Sequence, residues 1–147
     1  MTTLNFTLPI PGISINAVYC RDRRFKTTKY NEWEQHFFHH YAKHSDAVTA
    51  FASQFQPLKH VMKLSLVFGV HRQSFYTKAG TVSAFSMDLS NCEKVVLDCL
   101  MLKKYQGRGG ATVIGHDDKF VTTLHSSKVP ADSFYIDVAF EIVDKPT

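Results

Sequence analysis

The chain reads as an α/β or α+β protein, a small mixed sheet with helices packed on it. Three observations predict this. Residues 4–8 and 134–143 alternate apolar and polar side chains with the period of a half-buried strand. Residues 30–43 and 91–104 repeat apolar side chains at helical spacing. The segments follow one another roughly as β-α-β-α-β-β, which suits one layered unit of 147 residues rather than two domains.

The first strand is Leu4-Asn5-Phe6-Thr7-Leu8, and Pro9, Pro11 and Gly12 end it. Residues 13–28 mix apolar side chains with Arg21, Arg23, Arg24 and Lys26, a basic loop ahead of a helix that carries Trp33, Phe37, Phe38 and Tyr41. Residues 45–57 extend that helix or form a second short one, closed by Pro57 before a strand over 60–68. Residues 69–85 hold His71, Arg72, Lys78 and Gly80 and suit an exposed loop or irregular hairpin. Asp88 or Ser90 can cap the helix over 91–104; Leu89, Cys92, Val96 and Cys99 fall on one face, Lys94 and Asp98 toward another. Gly107, Gly109 and Gly110 break that helix, short apolar runs follow at 112–114 and 120–124, and 134–143 forms the last strand.

Composition bounds the function without choosing it. Hydrophobic residues at 44% and charged residues at 20% describe a globular chain, not a disordered one. A net charge of +4 and a pI near 9.0 favour a polyanionic partner, because cations that neutralise phosphates release counterions. The three cysteines, Cys20, Cys92 and Cys99, are odd in number and lack CxxC spacing, so neither a disulfide framework nor a zinc knuckle is implied. Reduced thiols, no secretory pattern at residues 1–12 and no apolar run near the ~18 residues of a membrane span lead us to expect a soluble, cytoplasmic protein.

Two acidic places stand out, Asp88 at the start of the second long helix and the Asp117-Asp118 pair before a strand. Magnesium is held by one or two carboxylates plus water and substrate phosphate, so convergence of these few residues would suit phosphodiester hydrolysis. Lys94 follows Asp88 by six residues, less than two helical turns, close enough to meet the same phosphate. The structural alternative is an aspartate that caps a helix and a lysine that is solvated.

The ordered set Met87-Asp88-Leu89-Ser90-Asn91-Cys92-Glu93-Lys94, then Asp98-Cys99-Leu100, then Asp117-Asp118 ahead of Val121, resembles the signature of the RusA family of Holliday junction resolvases. That signature reads D-x-D-N-x-x-K, then D-x-L, then a D-D pair before a short strand. The opening strand, the proline turn, Ser14-Ile15-Asn16, Tyr19 and the basic stretch follow the same order, so the resemblance spans most of the chain. It implies a RusA-like fold and a Mg2+- or Mn2+-dependent endodeoxyribonuclease that nicks four-way junctions as a homodimer, often in phages and prophages. It also implies roles: metal binding for Asp88 and Asp118, catalytic assistance for Lys94, and support from Asn91 and Asp98.

Ser90 departs from the pattern, standing where the family has a second metal-binding aspartate. A hydroxyl is a neutral, weaker ligand for a hard cation, so the site loses one negative charge unless Asp117, Glu93 or water substitutes. A working two-carboxylate site, an engineered inactive form and a lineage that binds junctions without cutting them all fit this, and Ser90 also suits a helix cap. An interaction domain without a nucleic-acid role is the remaining alternative.

For the DNA-facing surface, Arg21, Arg23, Arg24, Lys26, Arg72 and Lys78 are candidate phosphate contacts, joined by Lys103, Lys104 and Arg108, with solvated surface charge as the alternative for each. Phe75 and Tyr76 are candidate wedges for unstacked bases, or else core residues. The row His36, His40, His44 beside His39 reads as a solvated helix stripe rather than a zinc site, and Gly107-Arg108-Gly109-Gly110 as a turn rather than a phosphate loop.

Overall fold

The computed structural model describes residues 2–18, 26–83, 88–101 and 111–147. In chain order the elements are β1 (Thr2–Leu8), α1 (Thr28–Tyr41), α2 (Ser45–Ser53), β2 (His60–His71), α3 (Arg72–Phe75), α4 (Leu89–Met101), β3 (Val121–Ala131) and β4 (Tyr135–Asp144). The expected mixed α+β layer is what forms: one four-stranded sheet in the order β1-β4-β2-β3. β4 runs antiparallel to both β1 and β2, whereas β2 and β3 are parallel. A parallel pair cannot be closed by a hairpin, and here the crossover contains α4.

Alternation in the strands sets the layers. Leu4, Phe6 and Leu8 pair with Phe140, Val138 and Ile136, which pair in turn with Leu64, Leu66 and Phe68. These rows are buried across three strands and form the floor of the core. Continued onto β3 the same rows become Leu124, Ser126 and Lys128. The covered side of the sheet therefore turns polar at its β3 edge, beside the helix that carries the acidic residues.

The helices supply the other wall. Thr27 caps α1 by accepting from the Tyr30 N–H at 3.1 Å, and Tyr30, Trp33, Phe37, Phe38 and Tyr41 all turn inward. Residues 45–53 form the second short helix, α2, after a 3-10 turn over Ala42–His44, and bury Val48 and Phe51. In α4 the buried stripe is Cys92, Val95, Val96, Cys99, Leu100 and Met101. No helix of the described residues is long and apolar enough to cross a membrane.

The two short apolar runs after α4 take different forms. Residues 112–114 form no strand: the Ile114 and Gly115 N–H groups donate to the Leu100 and Met101 carbonyls at 3.0 and 3.1 Å, closing the end of α4. The apolar run at Val113 and Ile114 is buried as a cap for that helix rather than as a ladder. The strand expected over 120–124 is longer, running through Lys128 and Pro130 to Ala131, which an edge position permits.

Candidate functional site

Asp88 is the N-cap of α4. Its carbonyl accepts from the Cys92 N–H at 3.2 Å, and its Oδ1 accepts from the Ser90 N–H at 3.1 Å and the Ser90 hydroxyl at 2.8 Å. The Asn91 amide reaches Oδ2 at 3.5 Å. Two residues of the D-x-S-N segment, Ser90 and Asn91, are thereby fastened to the carboxylate of a third.

One turn further along, the Lys94 ammonium donates to Asp98 Oδ1 at 3.0 Å and lies 3.6 Å from Asp118 Oδ2. Asp118 comes from a 3-10 turn, Asp118–Phe120, that leads into β3 and packs against α4. The parallel crossover thus joins residues 24 positions apart in the sequence. The hydrogen bond to Asp98 holds the Lys94 ammonium above the ordinary lysine range; partial burial opposes this, and the charges of Asp98 and Asp118 add to it. These contacts favour the charged form of Lys94.

Asp117 caps the same turn, its Oδ1 accepting from the Lys119 N–H at 2.9 Å. That bond, then the Asp118 side chain, draws the Asp117 carboxyl below the usual carboxylate range. Glu93 is engaged elsewhere: its Oε1 accepts from the Ser126 hydroxyl on β3. This contact had no sequence signal, because Ser126 lies in a stretch that does not read as a strand. Beneath the site, burial and then Asp88 push the Cys92 thiol up to about 11, so it stays protonated near neutrality.

The donors are of one chemical kind. The Asp88 and Asp118 carboxylates and the Ser90 hydroxyl are oxygen ligands suited to a hard divalent cation. Among the described residues no group of three or more His, Cys, Asp or Glu is placed to hold a metal ion. Acidic side chains also outnumber cations on α4 and its neighbouring turn, where Asp88, Glu93, Asp98, Asp117 and Asp118 face Lys94 and Lys119. A phosphodiester approaches such a surface favourably only with a cation between.

The candidate DNA contacts divide. Arg21, Arg23, Arg24, Lys103, Lys104 and Arg108 lie outside the described residues, as do Tyr19, Met87 and the glycine run. Lys26 pairs with buried Glu34 at 3.7 Å and lies 4.8 Å over the Tyr30 ring. Phe75 is buried and corrects the expectation of a paired wedge, whereas its neighbour Tyr76 is 39% exposed. Arg72 and Lys78 are exposed beside that tyrosine.

In the histidine row, His44 stacks on Phe6 at 4.7 Å and His39 meets His40 edge to face. Burial first, then Lys43, His39 and His36, hold the His40 imidazole below its ordinary range. No protein-family model matches the chain, and no curated protein matches it in sequence.

Proposed function

We propose that the chain is a divalent-metal-dependent endonuclease of the RusA type that resolves four-way DNA junctions in recombination and repair. The observation that carries this reading is the Lys94–Asp118 contact, which unites the two separated halves of the acidic motif. Asp88 and Asp118 would hold Mg2+ or Mn2+, which supplies an activated water and charge stabilisation at the departing 3′-oxygen. Lys94, kept protonated by Asp98 and Asp118, would meet the charge that grows on the phosphate. Asp98 and Asn91 would act as positioning residues, one on Lys94 and one on Asp88. A four-way junction has near two-fold symmetry, so a C2 homodimer would put one site on each of two opposed strands.

A second reading is favoured by Ser90, whose hydroxyl donates to Asp88 Oδ1 and adds no charge. It makes the chain a catalytically silent binder of branched DNA. One experiment separates the two: a synthetic four-way junction and a linear duplex of matching sequence are incubated with Mg2+ or Mn2+ and either the wild type or Asp118→Asn. Paired symmetric nicks in the junction that vanish in the variant support the nuclease. Tight junction binding without nicks supports the silent binder, and failure to bind branched DNA at moderate salt overturns both in favour of an interaction domain.

A further inference from the structure

Beyond the acidic site, residues 72–83 build a second, separate feature. α3 ends with the Tyr76 N–H donating to the Arg72 carbonyl at 3.0 Å, and the Ser83 N–H then returns to the Phe75 carbonyl at 2.8 Å. Between them Tyr76 bridges Val82, and the Thr77 N–H donates to Thr81 O at 2.8 Å. The tip turns through Gly80 at φ +86°, a conformation few side chains accept. The result is a tight hairpin fixed by its main chain.

Its side chains line a shallow, open depression of about 420 Å³ formed by Arg72, Gln73, Tyr76, Thr77 and Lys78. Tyr76 is braced from one side by the buried Phe75 ring, edge to face at 4.8 Å, and remains 39% exposed. Val82, opposite it across the bridge, is 56% exposed. Arg72 pairs with Asp132 at 3.4 Å, and the Asp132 side chain is 98% exposed, so a phosphate can displace it cheaply.

We propose that this depression takes one unpaired nucleotide of a DNA strand, its base stacked on Tyr76 and its flanking phosphates met by Arg72 and Lys78. A duplex offers phosphates but no free base face; a braced, exposed tyrosine between two cations answers to an unstacked base. The choice of DNA over RNA rests on the junction reading, but the stacking site does not depend on cleavage.

The test is made in EDTA, where no metal-dependent cutting can occur. A short single strand carrying 2-aminopurine is titrated with protein, alongside a duplex and an RNA strand of the same sequence. We expect fluorescence quenching, preference for the single DNA strand over the duplex, and about tenfold weaker binding by Tyr76→Ala, with Tyr76→Phe near wild type. Lys78→Ala should lower the log–log salt slope by roughly 0.7, and Asp132→Asn should tighten binding. Equal affinity for duplex, or a Tyr76→Ala variant that binds and quenches like wild type, overturns the site. Tighter binding of RNA overturns the assignment to DNA. Loss of junction cleavage in magnesium has no part in these readouts, so the two readings fail separately.

Discussion

Around α4 the polar side chains are tied to one another: Ser90 and Asn91 to Asp88, Lys94 to Asp98 and Asp118, Glu93 to Ser126. On the hairpin after β2 it is the main chain that is tied, through Thr77–Thr81 and Phe75–Ser83, while Tyr76 and Lys78 project from it. The first arrangement fixes charges relative to each other, as chemistry at one phosphate requires. The second fixes only a platform, which suits a ligand whose bases vary along a strand. The two also differ in depth, since α4 is wedged into the core on its opposite face and the hairpin runs on from the end of β2 with only Phe75 buried.

That difference in depth predicts where a substitution is felt. Leu100 is fully buried, and its carbonyl accepts from the Tyr41 hydroxyl at 3.2 Å and from the Ile114 N–H. Leu100→Ala should cost about 2–5 kcal/mol of global stability, read as a lowered denaturant midpoint. A cost under about 1 kcal/mol would mean that α4 is not anchored as described. Gly80→Ala should cost less, about 1–2 kcal/mol of strain, because its φ of +86° lies in the left-handed region. The loss should appear locally, as faster hydrogen exchange at the Thr77 and Ser83 amides, with exchange in α4 unchanged. Equal acceleration in α4 would dissolve the distinction between the two regions.

The sequence made the fold legible where burial imposes a period. The alternation of β1 and β4 and the apolar spacing of α1 and α4 carry their own direction toward the core, and all four elements form close to the expected bounds. β3 was legible only at its start, because Ser126, Ser127, Lys128 and Pro130 lie on an edge strand that the core does not force into alternation. Residues 112–114 showed only a short apolar run, which by itself does not reveal a buried cap for the end of α4. Within the site, the cap at Asp88 and the turn spacing of Lys94 and Asp98 are local and readable. The Lys94–Asp118 contact follows from the parallel crossover, which no local pattern encodes.

The smallest effect on stability tests the acidic site most sharply. The Lys94 side chain is 53% exposed, so solvent screens its pairs, and Lys94→Met should change folding stability by less than about 1 kcal/mol. The folded-state pKa of Lys94 is raised by Asp98 and Asp118. Its contribution is therefore fully present below the unfolded lysine value of about 10.4 and is lost as pH rises through the higher folded value. The stability difference between wild type and Lys94→Met should accordingly stay level from pH 6 to 9 and close only in strong alkali. If the chain cleaves junctions, its Lys94-dependent rate should show no falling limb within that same window, and the variant should lose most of its activity while keeping its fold. A midpoint near pH 8 would mean that Lys94 sheds its proton in the working range. The ion pairs with Asp98 and Asp118 would then not be holding the charge that the proposed chemistry needs.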